Sequence, residues 1–169
     1  MKFPCFVLVT VLTSSLALSA NAQSPQPSAT PAMKPSADQT AFQKGTFTGA
    51  TADKNHYHVV YHLDSDDPKL IKMTLRNMKN ALEDPRLKGK LQMQLVAYAG
   101  GVNVFRKDQA YEPELQALKA QGVLLTQCLN TMKERNISKE ELFPFIAYVP
   151  TGNGELIIRQ AQGWALVHP

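Results

Sequence analysis

The sequence predicts an α/β fold in which five mostly parallel strands form one sheet that helices cover on both faces. Short apolar runs rich in β-branched residues alternate with segments of helical periodicity. Turn and capping signals separate them at regular intervals. Strands that alternate with helices are typical of a parallel sheet buried on both faces, with right-handed crossovers.

The first half of the folded part is predicted as strand, helix, strand. Residues 57–63 form a β-type run, and an aspartate followed by Pro68 predicts the start of a helix. That helix ends at Asp84–Pro85, and its inner side carries apolar residues at helical spacing, namely Ile71, Leu75, Met78 and Leu82. Residues 91–98 form the next strand, and a flexible turn over Ala99–Gly101 follows it.

The second half continues the alternation and supplies three more strands. A glycine, Gly122 or Gly163, ends each of its two longer helices. The predicted elements are helix 112–121, strand 123–128, a short helix to about Asn136, a capped turn at 138–141, strand 145–149, helix 155–162 and strand 164–168.

The amino terminus has the pattern of a secretory signal peptide. A positive start is followed by an apolar run over 6–18 and by the cleavage pattern Ala20-Asn21-Ala22. The run is too short to span a bilayer, so we expect cleavage after Ala22, a periplasmic protein and no membrane attachment afterwards. The predicted organisation is a signal peptide at 1–22, a disordered Pro/Ser/Ala-rich linker at 23–41 and one domain at 42–169.

Charge and motif content exclude several function classes. The formal net charge is only +4, without a basic block, which argues against nucleic acid as a partner. No phosphate-binding glycine motif and no G-x-S-x-G elbow occurs, and no cofactor is implied. After signal cleavage a single cysteine, Cys128, remains, so it is buried, paired between chains or reactive.

Cys128 is the predicted catalytic residue because it stands where a buried strand runs into a helix start. Free N–H groups and the helix dipole at such a position favour a thiolate over a thiol. Asn130 and Thr131 follow within the first helical turn and are expected to bind near the sulfur. The alternative is a buried structural cysteine, since free cysteine is among the most buried residue types.

The remaining polar clusters have simpler explanations. His56, His58 and His62 share one parity, and His56 with His58 could ligate one ion, but His62 lies about 13 Å from His58. A pair of surface histidines is the simpler explanation, so no metal site is predicted. The acidic run 64–67 is interpreted as helix capping rather than cation binding. Gly152 and Asn153 precede a helix and are candidates for an anion-binding pocket wall, with turn chemistry as the alternative. His168 is the histidine to examine as a partner of Cys128.

Four short segments resemble the DsrE/DsrF-like family. They are YHLDS at 61–65, Gly100-Gly101-Val102, CLNT at 128–131 and QGWA at 162–165. The resemblance implies a three-layer α/β/α sandwich with a five-stranded parallel sheet, and it places Gly100 and Gly101 beside the site. It further implies homo- or hetero-oligomers and, in some members, a cysteine that carries sulfur as a persulfide.

Two functional hypotheses follow from the residues and the resemblance. The first is an exported sulfur carrier or sulfurtransferase that acts through a persulfide on Cys128 and meets a sulfur donor or acceptor protein. The second is a non-catalytic oligomeric binding module in which Cys128 is structural. Phe105, Tyr111 and Trp164 are expected to supply apolar contact area to a homo-oligomer.

Overall fold

The computed structural model describes residues 34–169 of the 169-residue chain. The predicted signal peptide at 1–22 and most of the predicted linker lie outside the described residues. The structure separates the residues up to Phe47 from a unit that runs from Thr48 to Pro169. No helix within 34–169 has the length and apolar character needed to cross a bilayer.

The described end of the predicted linker is helical. Helix α1 spans Ala37–Gln43, where composition alone led us to expect disorder up to residue 41. A capping box explains the difference, because the Ser36 side chain accepts from the backbone N–H of Gln39 and the Gln39 side chain accepts from the N–H of Ser36. None of the residues of α1 is buried.

Five strands form one all-parallel sheet, which confirms the predicted fold class. The strands are β1 (Tyr57–Leu63), β2 (Leu91–Ala97), β3 (Leu124–Cys128), β4 (Ala147–Val149) and β5 (Ala165–Val167). Their order across the sheet is β4-β3-β2-β1-β5, and every neighbouring pair runs parallel. The carboxyl ends of all five strands therefore meet at one edge of the sheet.

Four helices of the Thr48–Pro169 unit connect these strands. They are α2 (Pro68–Glu83), α3 (Glu112–Ala120), α4 (Leu129–Glu134) and α5 (Gly152–Ala161). Asp67 caps α2 by accepting from the N–H of Lys69 at 2.9 Å, and Pro68 occupies the first helical position as predicted. Asp67 of the acidic run is thus a helix cap.

The two faces of the sheet bury different cores. Helices α2 and α3 cover the larger core, to which β1 and β2 contribute Leu63 and Leu95. Helix α5 lies against β1, β2 and β5 on the opposite face, where the second core contains Val60, Val96, Leu156 and Trp164. Alternate residues of each strand point to opposite faces, so the parity of a position decides which core it joins.

Two local predictions were wrong in detail. The predicted flexible turn at 99–101 is the start of a 3₁₀ helix, Ala99–Phe105, in which both glycines are buried. A Cβ on Gly101 would lie 2.6 Å from the carbonyl carbon of Leu63, so glycine allows this helix to pack directly on the end of β1. Helix α5 begins at Gly152 rather than Glu155, because Thr151 accepts from the N–H of Gly154 and caps it.

Candidate functional site

Cys128 lies at the carboxyl edge of the sheet, as the last residue of β3 and the N-cap of α4. Its Sγ accepts a hydrogen bond from the backbone N–H of Thr131 at 3.4 Å. The backbones of Asn130 and Gly152 also help to lower the pKa of the thiol, although the N–H of Asn130 itself donates to the carbonyl of Pro150. The starts of α4 and α5 therefore both affect the acidity of one thiol.

These donors set the acidity of Cys128. Burial is the largest single influence and raises the pKa of the thiol, but hydrogen bonds from Thr131, Gly152 and Asn130 together outweigh it. The pKa of Cys128 is consequently lowered from its ordinary value. Thr131 contributes through both its hydroxyl and its backbone N–H, which makes it the most important neighbour of the sulfur.

The two helix starts are joined beside the sulfur. The N–H of Asn130 donates to the carbonyl of Pro150 at 3.2 Å, which ties the start of α4 to the turn before α5. Gly152 packs so closely on Tyr98 that a Cβ there would lie 2.9 Å from the Tyr98 ring. A larger residue at 152 would push the N-terminus of α5 away from the thiol.

Thr131 also connects the site to the 3₁₀ helix. Its Oγ1 accepts from the N–H of Ala99 at 3.0 Å. Ala99 has a φ of 46°, in the left-handed region that an alanine rarely adopts. The backbone at the start of the 3₁₀ helix is therefore strained, and the bond to Thr131 helps to hold it there.

The other predicted binding residues have varied positions. The Asn130 side chain donates to Glu134 at 2.7 Å, so only its backbone serves the sulfur. Gly100 and Gly101 pack against the backbone of 63–66, where a Cβ would collide. Asn153 is exposed on the first turn of α5. Of the predicted set, Thr131, Gly152 and the Asn130 backbone meet at Cys128.

Cys128 is covered as well as activated. The residue is 4% exposed, and Thr131 beside it is equally buried. The thiolate, rather than the thiol, is the nucleophilic form of cysteine, so a lowered pKa favours reactivity while burial opposes access. The joined starts of α4 and α5 lie beside the buried sulfur.

The histidines are arranged differently from the sequence expectation. The ring of His58 lies 5.1 Å from that of Trp164, and His62 instead stacks on His168 with ring centroids 4.3 Å apart. Nδ1 of His62 and the Tyr98 hydroxyl share a hydrogen bond of 3.2 Å. Burial and the neighbouring His168 lower the pKa of His62, while Asp64 opposes this shift.

His168 is not a partner of Cys128. Strand β5 lies three positions from β3 in the sheet, which is about 14 Å at the usual strand spacing. The sequence did not reveal the His62–His168 contact, because nothing local indicates that the last strand pairs with the first. The one available signal was the alternation of side chains along strand 164–168, which predicts the face of the sheet to which His168 points.

The aromatic residues expected at an oligomer interface are buried in the chain itself. Phe105, Tyr111 and Trp164 belong to its own cores. Exposed apolar surface lies instead on α5, where Ile157 and Ile158 are 68% and 54% exposed. Further exposed large hydrophobic residues of the Thr48–Pro169 unit are Leu124, Leu129 and Leu166.

Comparisons with known proteins agree with this architecture. The sequence model of the DsrE/DsrF-like family matches residues 55–169. Among solved structures, a protein of unknown function from Methanobacterium thermoautotrophicum, MTH1491, is 33% identical with a TM-score of 0.63, and the match covers 67% of this chain and 99% of that one.

Two more distant structures share the fold alone. The ychN protein from E. coli is 17% identical with a TM-score of 0.55, over 69% of this chain and all of that one. The conserved protein of unknown function BT1422 from Bacteroides thetaiotaomicron is 10% identical with a TM-score of 0.54, over 72% of this chain and 100% of that one. No curated protein matches the chain significantly. With a family match over most of its length, the chain belongs to the DsrE/DsrF-like family.

Proposed function

We propose that the chain is a sulfur carrier or sulfurtransferase that holds sulfur as a persulfide on Cys128. The observation that carries the proposal is the position of Cys128 at the carboxyl edge of the sheet, where its sulfur accepts from the Thr131 N–H at 3.4 Å and its pKa is lowered despite burial. In parallel α/β folds, ligands bind outside this edge. Cys128 is the only free cysteine in the described part of the chain, which supports its choice as the sulfur-carrying residue.

The proposed reaction is an exchange without net oxidation. The Cys128 thiolate attacks the outer sulfur of a donor persulfide, R–S–SH, forming a new S–S bond while the donor bond breaks and R–S⁻ leaves. An acceptor thiolate then attacks the outer sulfur of the Cys128 persulfide. Its products are the acceptor persulfide and the Cys128 thiolate, which returns to its starting state.

The neighbours of Cys128 suit both steps. In the first step, N–H donors keep a fraction of the thiol ionised despite its burial. In the second step, the same donors stabilise the thiolate that leaves, which makes Cys128 a better leaving group. The hydrogen bond between Asn130 and Pro150 joins the covering segments, so a donor gains access when these segments separate.

The second candidate function is a non-catalytic binding module. It is favoured by the role of Cys128 as the N-cap of α4 and by its 4% exposure. A sulfur that only completes a helix terminus and fills the protein interior needs no reactivity. The exposed isoleucines of α5 are then the functional surface.

Mass spectrometry after treatment with polysulfide distinguishes the two candidates. A sulfur carrier gains one sulfur atom, about 32 Da, on the peptide that contains Cys128, and a thiol acceptor removes it again. Cys128→Ser retains an acceptor for the Thr131 N–H and must gain nothing. If folded wild-type protein gains no sulfur, and Cys128 reacts with polysulfide only after unfolding, the sulfur-carrier proposal is wrong and Cys128 has a structural role.

Export and self-association are part of the same proposal. The periplasmic location is supported by the sequence pattern at residues 1–22. Homo-oligomer formation is supported by Ile157 and Ile158, whose exposure on adjacent positions of α5 is unusual for large aliphatic side chains.

A further inference from the structure

We infer that His62, Asp64 and His168 form a binding site for a divalent transition metal ion of the Zn²⁺ type, separate from Cys128. One donor atom from each of these three side chains lies within 4.8 Å of the other two. The cluster plays no part in the sulfur transfer proposed above. Its existence therefore does not depend on the reactivity of Cys128.

The sheet itself brings the three side chains together. His62 and Asp64 are two residues apart along β1 and its continuation, so they point to the same face. Tyr61 pairs with Val167 of β5, which places His168 beside His62 on that face. The ligands thus come from two adjacent strands at the carboxyl edge, and the register of these strands fixes their spacing.

The observed distances are compatible with closure around one ion. His168 Nε2 lies 3.9 Å from Asp64 Oδ1, and the rings of His62 and His168 are 4.3 Å apart. Ligands about 2.1 Å from a tetrahedral ion are about 3.4 Å from one another, so the widest pair must close by at most about 1.4 Å. The side chains of His168 and Asp64 are 58% and 43% exposed, and they are free to turn by that amount.

Tyr98 prepares His62 for this role. Its hydroxyl lies 3.2 Å from Nδ1 of His62. When Nδ1–H donates to that hydroxyl, Nε2 carries the lone pair and is available to a metal ion. Metal-binding histidines commonly donate their second N–H to a neighbouring oxygen in this way, so Tyr98 is a positioning residue.

The donor set selects the class of ion. Two imidazole nitrogens and one carboxylate oxygen suit Zn²⁺, Co²⁺ or Ni²⁺. Mg²⁺ and Ca²⁺ prefer oxygen ligands throughout, and Cu⁺ prefers sulfur. Three protein ligands leave one tetrahedral position open to water or to a further ligand.

The test is metal titration of the full chain purified without a histidine tag. We expect one equivalent of Zn²⁺ to bind in calorimetry, and Co²⁺ to give visible absorption without a thiolate charge-transfer band. His168→Ala and Asp64→Asn should each weaken binding at least about tenfold, and Tyr98→Phe about tenfold through loss of orientation. Asp64 and His168 are exposed, so these variants are expected to stay folded, which circular dichroism verifies.

His58→Ala and Cys128→Ser are the matched controls. His58 lies on the same face of β1, but its ring packs near Trp164, so its loss should leave Zn²⁺ affinity unchanged. Absence of stoichiometric binding overturns the inference, as does equal affinity in the His168 and Asp64 variants. If Cys128→Ser loses Zn²⁺ binding while the His168 and Asp64 variants keep it, the ion is bound by the thiol, and the inference is also overturned.

Discussion

Replacement of Cys128 tests whether its sulfur is a helix cap, an ionised nucleophile or both. In Cys128→Ala the backbone N–H of Thr131 loses its acceptor, and the missing cap costs about 1 kcal/mol of folding free energy. Removal of a buried sulfur, comparable in size to a methylene group, costs about 1 kcal/mol more. Cys128→Ala should therefore be about 2 kcal/mol less stable than the wild type.

Cys128→Ser separates the cap from the ionisation. Serine is a good N-cap, so this variant should lose no more than about 1 kcal/mol near neutral pH. Urea unfolding at constant m-value gives both differences in the free energy of unfolding. If Cys128→Ala and Cys128→Ser are equally stable, the hydrogen bond from Thr131 does not contribute as the geometry indicates.

The pH dependence of the free energy of unfolding shows whether Cys128 is ionised in the folded protein. Hydrogen bonds lower the pKa of Cys128 in the folded state, although burial opposes them. Between the folded and unfolded pKa values the unfolded chain binds more protons, so the stability of the wild type rises with pH in that window. This stabilisation is complete above the unfolded thiol value of about 8.5 and is lost as the pH falls through the folded value.

The difference between wild type and Cys128→Ser isolates this effect, because all other titrating groups are common to both proteins. We expect the wild type to gain stability relative to Cys128→Ser as the pH rises toward the unfolded thiol value. A difference that is flat, or that falls with rising pH, would refute the idea that the two helix starts stabilise a thiolate. Alkylation rates measured over the same pH range report the folded pKa directly.

Three further predictions concern packing, processing and assembly. Gly101→Ala should lose about 3 kcal/mol or more in urea unfolding, because its Cβ collides with the backbone of Leu63. The control Gly122→Ala, with a φ of 85° and open space around it, should lose only about 1 to 2 kcal/mol, and equal losses would disprove the steric explanation. Amino-terminal sequencing of exported protein should begin after Ala22, whereas an intact start contradicts the signal peptide. Sedimentation at micromolar concentration should show an oligomer that Ile157→Asp dissociates, and a monomeric wild type would argue against the α5 surface.

Local sequence signals predicted much of the fold because helix caps and turns are determined by residues that are close together in the sequence. Asp67 and Pro68 start α2, and Gly122 and Gly163 have the positive φ expected of a residue that follows a helix. The same reasoning placed Cys128 between a strand and a helix start. It was incomplete where a second segment was needed, since the backbone of Gly152, which helps to lower the pKa of the thiol, belongs to a helix that follows β4.

Strand order was the information that the sequence lacked. Knowledge that β5 pairs with β1 would have placed His168 beside His62 at once. Without it, the histidines at 56, 58 and 62 and the acidic run at 64–67 were separate candidates, and no local signal joined His62 to Asp64 and His168. The 3₁₀ helix after β2 was missed for a similar reason, because Gly100 and Gly101 are required by the backbone of 63–66 rather than by a local turn.

The parity of the strands explains why both proposed sites face α5. Thr126 and the buried Gln94 hydrogen-bond at 3.1 Å, and Gln94 donates to Glu155 of α5, so this face is the α5 side. Cys128 follows Thr126 by two residues and shares its face. His62 follows Val60, a member of the α5-side core, by the same spacing.

Tyr98 stands between the two sites on that shared face. Its ring packs on Gly152, whose backbone helps to lower the pKa of the thiol, and its hydroxyl is bonded to His62. Tyr98 is therefore the side chain that the two sites share, through its hydroxyl at His62 and its ring at Gly152.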